Sequence, residues 1–337
     1  MEKVTIKEVA KAAGVSFTTV SRALSGSPGV GETTRARIRR ICEEMGYTPN
    51  AIARSMVQRR TNTIGLIVSS INNPFMSEVT ESIENRLREH GYHMTVCNSS
   101  GDVELERKAY ELLLERQADG ILLIPVGTES YATLKPLLGR APTIFISENL
   151  KDHPVNYVSV DNYRGGKLGT KYLISLGHKR ILYLGCRRGS AAHLLRADGY
   201  RDACLKRGLE PEYLDNEAGS SYESGYRLAQ QYFAGGQRHT AIFCAADSIA
   251  IGVMRAADEL GVRIPEDISV LGFDNIFLSD LPRISLSTVE QPKPRIAASA
   301  VDMLLEQIET EEDGTSYRVI APRLIERCTC APVAEEA

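Results

Sequence analysis

From residue 62 to about residue 290, short apolar runs alternate with amphipathic segments, and this alternation constrains the fold more than any other feature of the chain. TIGLIV (63–68), HMTVC (93–97), GILLI (120–124), TIFI (143–146) and YVSV (157–160) alternate with helical patterns near 77–90, 103–117 and 129–138. A second series, RILYLG (180–185), TAIFC (240–244), ISVLGF (268–273) and ISLSTV (284–289), alternates with patterns near 163–176, 194–207, 222–234 and 247–260. Runs that are apolar at nearly every position leave no wet face, so they belong to parallel sheets covered by helices on both sides. Two doubly wound α/β lobes, each with four to six strands, account for most of the 337 residues. Ligands of such sheets bind at the carboxyl ends of the strands, which two facing lobes bring to a shared cleft.

The first 60 residues have a different texture. Ile6, Val9, Ala10 and Ala13 fall at i, i+3, i+4 and i+7, one buried helical stripe, with Thr5 placed to cap it. Gly14 supplies a turn, Ser16 caps a second helix, and Val20 and Leu24 point back at the first. A third helix runs from about Glu32 to Met45. This glycine-centred pair beside a third helix has the layout of a helix-turn-helix, an all-α unit whose second helix enters the DNA major groove. Phe17, Thr18, Ser21 and Arg22 share the face of that helix left open to base edges and thymine methyls, and Arg22 is the one able to grip guanine bidentately. Residues 1–60 carry eleven basic and five acidic side chains, net +6, which leaves −9 for the remainder of a chain of net charge −3. A basic segment on an acidic body points to a polyanion partner for the first part only.

No apolar stretch is long enough for a membrane span, and MEKVTIKEV has no signal-peptide core, so a cytoplasmic protein is expected. The seven cysteines are read mostly as buried small hydrophobes, and Cys328-Thr329-Cys330 has no nearby histidine or further cysteine to complete a zinc site. GGKLGT (165–170) lacks P-loop spacing, and GxSxG, HExxH and CxxC are absent. The six histidines are scattered, and His178 in LGHKR is expected as a cation at a helix C-terminus. Neither an enzyme nor a bound metal or cofactor is expected.

TIKEVAKAAGVSFTTVSRALSG, the linker GYTPNAIARSM, INNPF (71–75), LGHKRI (176–181), RADGYRDA (196–203), ELGVRIPEDISVLGFD (259–274) and STVEQP (287–292) occur in order at matching spacing. By these motifs the chain resembles a LacI/GalR-family transcriptional regulator over essentially its full length. The resemblance implies a helix-turn-helix domain at 1–48, a hinge helix at 49–61 that forms on DNA, and a periplasmic-binding-protein-like core at 62–337. In that core the first lobe covers about 62–161 plus 291–320 and the second about 162–290 plus 321–330. It also implies a homodimer on a near-palindromic double-stranded operator, most often as a repressor, with a small-molecule effector between the lobes.

Implied DNA contacts are Thr5, Ser16, Phe17, Thr18, Thr19, Ser21, Arg22, Asn50, Ala53 and Met56, with Lys3, Arg35 and Asn50 holding phosphate or sugar. Implied effector contacts are Phe75, Asp161, Ser190, Arg196, Ser220, Ala246 and Asp274. Asn73 as cap and Pro74 at the first helical position are expected to aim Phe75 at the cleft. Four positions depart from the family pattern: Met56 replaces the leucine that wedges into the minor groove, Gly31 a serine cap, Ser220 an aromatic floor, and Ala246 an asparagine. A pentose or hexose is the first reading of the effector, followed by a sugar phosphate or acid using Arg187 or Arg188, then a purine. A solute receptor without DNA function is the alternative class, disfavoured by the basic N-terminal helices.

Overall fold

The computed structural model describes residues 4–25, 28–47, 60–148, 150, 152–185, 190–215, 221–236, 238–310 and 314–333. The chain divides into two units, residues 1–63 and 64–337.

In the first unit, α1 (Ile6–Ala13) starts at a capping box: Thr5 Oγ1 accepts from Glu8 N at 3.4 Å, and Thr5 N donates to Glu8 Oε2 at 2.7 Å. It ends at Gly14, whose φ of 63° is the left-handed C-cap a residue without a Cβ adopts at little cost. Ser16 Oγ accepts from Thr19 N at 3.1 Å and opens α2 (Phe17–Ser25). Helix α3 (Glu32–Glu44) follows Gly31, which supplies no capping side chain. Val9, Ala10, Ala13, Val20, Ala23, Ile38 and Cys42 form the core.

The second unit holds the two sheets. The first contains β1 (Thr63–Val68), β2 (His93–Asn98), β3 (Gly120–Leu123), β4 (Thr143–Ile146), β5 (Asn156–Val160) and β11 (Tyr317–Ile320), in the order β11-β5-β4-β3-β1-β2. The second contains β6 (Ile181–Gly185), β7 (Glu212–Asp215), β8 (Ala241–Cys244), β9 (Ser269–Asp274), β10 (Ser287–Glu290) and β12 (Arg323–Ile325), in the order β12-β10-β9-β8-β6-β7. Parallel pairing prevails, as in Leu66 opposite Leu122 and Phe243 opposite Leu271, while β12 runs antiparallel to β10. Helices α4 (Pro74–Glu89), α5 (Val103–Glu115) and α6 (Ser130–Leu134) accompany the first sheet. Helices α7 (Asn162–Ser175), α8 (Ala191–Leu205), α9 (Tyr222–Ala234) and α10 (Asp247–Glu259) accompany the second. Helix α11 (Lys293–Thr310) returns to the first lobe, where Ile296, Ala300 and Leu304 join the cluster of Ile64 and Leu66. The chain therefore crosses between lobes three times, from β5 to α7, β10 to α11 and β11 to β12.

Strands β7, β11 and β12 lie outside the expected runs, and ISLSTV is strand only from Ser287. Ser285, at φ 41°, and Ile284, whose N–H bonds Leu281 O at 2.8 Å, still belong to the preceding turn. Two glycines serve packing: a Cβ on Gly166 of GGKLGT would fall 2.0 Å from Arg196 O, and one on Gly199 of RADGYRDA would fall 2.1 Å from Tyr163 O. These two positions let α7 and α8 touch backbone to backbone. His178 corrects the expected cation. It is buried, burial depresses its pKa, and its ring bonds Thr240 Oγ1 (2.9 Å) and Ala331 O (3.1 Å), so Nε2 of a neutral imidazole donates to the carbonyl. Cys42, Cys204 and Cys244 are buried and Cys328 is exposed. Among the described residues no helix is long and apolar enough to cross a membrane.

Candidate DNA-reading helix and interlobe effector site

Helix α2 turns Val20 and Ala23 into the core and leaves Phe17 60% exposed, with Thr18 and Arg22 exposed and Thr19 and Ser21 half-buried. Ser16 and Thr19 bond each other through their hydroxyls at 2.9 Å, and Thr5 stands at the head of α1. Arg35 has a side chain 13% exposed, and its Nη1 donates to Ala23 O at 3.4 Å, near the end of α2. Lys3, Asn50, Ala53 and Met56 lie outside the described residues.

In the second unit, Arg196 and Asp274 come together at the carboxyl ends of the second lobe's strands. Their separation is 3.5 Å, both are buried, and the guanidinium lies 3.8 Å above the Phe273 ring. Arg196 Nε donates to Asn162 Oδ1 (2.8 Å) and Nη1 to Ala245 O (2.6 Å). Gln291 Nε2 donates to Asp274 Oδ1 at 2.6 Å. Asp274 and Asn275 have φ of 119° and 54°, a strained pair of turns that faces both carbonyls to Lys293 Nζ. Lys293 also pairs with Glu78 of α4 at 3.2 Å, and Glu78 Oε1 accepts Phe277 N at 2.8 Å.

Burial outweighs the nearby cations and holds the Asp274 carboxyl above its ordinary pKa. Asp247, at the start of α10, is pushed up to about 7, first by burial and then by the charge of Asp274. Hydrogen bonds from Thr288 Oγ1 (2.6 Å), Ser279 Oγ (2.7 Å) and Ile276 N (2.9 Å) oppose that rise. His193 is pushed down to about 3 by burial and by Arg196, so its imidazole is neutral. Among the described residues no group of three or more metal-ligating side chains is placed to hold an ion.

The remaining expected contacts are more scattered. Ser190 caps α8 and donates to Glu148 Oε1 at 2.9 Å, and Asp161 caps α7 through Arg164 N at 2.9 Å. Phe75 is buried in the first lobe's core cluster with Val79, Ile276 and Ile296, so its ring offers little surface to a ligand. Ala246 is buried beside Ala245, and Ser220 lies outside the described residues.

A helix-turn-helix with one exposed face, and a two-lobed core whose second lobe carries a buried Arg–Asp pair at the ends of its strands, have counterparts in known proteins. Residues 5–50 match the model of bacterial regulatory proteins of the lacI family, and residues 170–330 match the periplasmic binding protein-like domain. A transcriptional repressor of helix-turn-helix type, PurR of Vibrio atlanticus, is 34% identical over 329 residues, covering 96% of this chain and 98% of the relative. The chain belongs to the lacI family of bacterial regulatory proteins. Its structure is similar to a lac repressor dimer bound to operator and the anti-inducer ONPF, with TM-score 0.89, 27% identity, and 99% and 100% of the two chains covered. It is also similar to a lacI-family regulator of Enterococcus faecium with bound ribose, with TM-score 0.71, 27% identity, and 81% and 100% covered.

Within this lacI-family chain the site includes side chains that sequence reasoning passed over: Glu148, Asn162, Gln291, Lys293 and Glu78. Glu148 stands two residues past the buried run TIFI, near a strand's carboxyl end, a position that by itself does not single it out. Gln291 lies inside the quoted STVEQP. Nothing in α4 marked Glu78 apart from its neighbours.

Proposed function

We propose that this chain is a homodimeric transcriptional repressor whose residues 1–48 read a near-palindromic operator and whose core, residues 62–337, binds a small neutral polyhydroxylated effector, a pentose or hexose, that modulates operator affinity. The observation that carries this reading is the exposed Phe17, beside Thr18 and Arg22, on a nine-residue helix whose opposite face is anchored in a core. A large apolar ring held in water on a basic unit marks a contact surface, and thymine methyls and guanine edges suit this set of side chains. One such helix per chain requires two-fold pairing to read a palindrome. We assign the chain binding rather than catalysis.

For the effector, Arg196, Asn162, Gln291, Asp274 and Glu148 supply both donors and acceptors, which hydroxyl groups need. Glu148, Asp274 and Glu78 crowd carboxylates around Arg196 and Lys293, so among the described residues a phosphate meets repulsion that a neutral sugar does not. The ribose in the Enterococcus faecium regulator is consistent with that choice. Selection of bound DNA from a random pool, followed by affinity measurements with pentoses, hexoses, sugar phosphates and purines, tests both parts. A two-fold symmetric site whose affinity changes with a neutral sugar is expected. Absence of sequence preference removes the regulator reading, and a response to phosphorylated compounds or purines alone removes the sugar reading.

A further inference from the structure

Glu148 sits two residues past the end of β4 of the first lobe, on a chain turned by Ser147 at φ 71°, yet its carboxylate bonds only partners of the second lobe among those described. Oε1 accepts from Ser190 Oγ at 2.9 Å and Oε2 from Ala191 N at 3.1 Å, so both oxygens rest on the head of α8. The residue is 6% exposed. A helix N-terminus presents unsatisfied N–H groups and a positive dipole end, and a carboxylate there is stabilised by both. A buried carboxylate without such donors would be strongly penalised, so parting the lobes must either hydrate Glu148 or leave it unsatisfied.

Position in the sheets separates this contact from the other interlobe carboxylate. Glu78 bonds Lys293 and Phe277, and Lys293 opens α11 immediately after one of the three crossings. Ser190 follows β6, three places from β10 and four from β12 in the sheet order. A rotation about the β10–α11 crossing therefore moves Ser190 more than Lys293, which stands at that crossing. We infer that Glu148 is an interlobe latch: its carboxylate, seated on the Ser190–Ala191 head of α8, holds the lobes closed, and opening of the cleft breaks this bond while the Glu78–Lys293 bridge persists. The inference does not depend on which effector binds, because both halves of the latch belong to this chain.

Spin labels at exposed Lys108 of α5 and Lys206 after α8, in full-length protein diluted with unlabelled chain and with native reactive cysteines replaced, report the lobe separation as a distance distribution. Glu148→Ala should lower the closed-to-open ratio about tenfold, equivalent to about 1.4 kcal/mol. Glu148→Gln preserves the shape and one acceptor oxygen and should shift the ratio less. Ser190→Ala should shift it in the same direction, and combining it with Glu148→Ala should add little beyond Glu148→Ala alone. Should Glu148→Ala fail to fold, Glu148→Gln decides alone. Distributions of the Glu148 variants that superimpose on the parent overturn the latch.

Discussion

The Cβ that Gly166 lacks would stand 2.0 Å from the carbonyl oxygen of Arg196. The obstacle is backbone on both sides, so neither partner can rotate away, and α7 and α8 would have to separate. Gly166→Ala is expected to destabilise the second unit by about 3 kcal/mol, the upper end for overpacking. Because Arg196 rides on the displaced helix, effector affinity should fall along with the melting temperature. A variant that melts like the parent and binds like it would show that the helices have slack.

Asp274→Asn tests the carboxylate of the effector site with little change of shape. Its amide oxygen still accepts from Gln291, and Arg196 keeps Asn162, the Ala245 carbonyl and the Phe273 ring. Folding should survive with a loss of about 1–3 kcal/mol, while a ligand hydroxyl loses a charged acceptor worth a similar amount, or roughly tenfold to a hundredfold in affinity. Calorimetry with the responsive sugar gives the answer, and unchanged affinity would move the effector away from Asp274.

For DNA reading, Arg22→Ala should cost about 1–3 kcal/mol on the preferred operator and relax the preference at one base pair, because a bidentate guanine contact discriminates by that amount. Competition with operators substituted one position at a time measures it. Equal weakening across all sequences would instead make Arg22 a phosphate contact.

How far the sequence announced all this depends on burial and on reach along the chain. TIGLIV and TIFI are legible because both faces of their strands are covered, which demands continuous apolar runs. β11, YRVI, stands at a sheet edge with Tyr317 and Val319 exposed, and β12 has three residues, so neither carries that mark. In the site, Arg196 and Asp274 were reached through motif resemblance rather than periodicity. Glu148 was not reached, because its role rests on a left-handed turn at Ser147 and on a partner 42 residues away, and neither leaves a local pattern.

Asp247 offers a test of the site's electrostatics through pH. An ordinary aspartate titrates near 3.8, and in the folded chain Asp247 is pushed up to about 7 by burial and by Asp274. Between those values the folded state binds more protons than the unfolded one, so this group's contribution to stability falls as pH rises through the window and levels off above it. Asn at this position is compatible with the surroundings: its oxygen can accept from Ile276 N and Ser279 Oγ, while Thr288, a hydroxyl, can accept from the new amide. The folded-state pKa values of His193 and His178 are depressed and act in the opposite sense below about 6.5, but they are common to both proteins and cancel in a difference. Chemical-denaturation free energies of the parent minus those of Asp247→Asn should therefore decline from pH 4.5 to about pH 7 and stay level to pH 8. A difference that is flat across the range, or that rises with pH, would mean that the three donors around Asp247 hold it ionised in the folded chain.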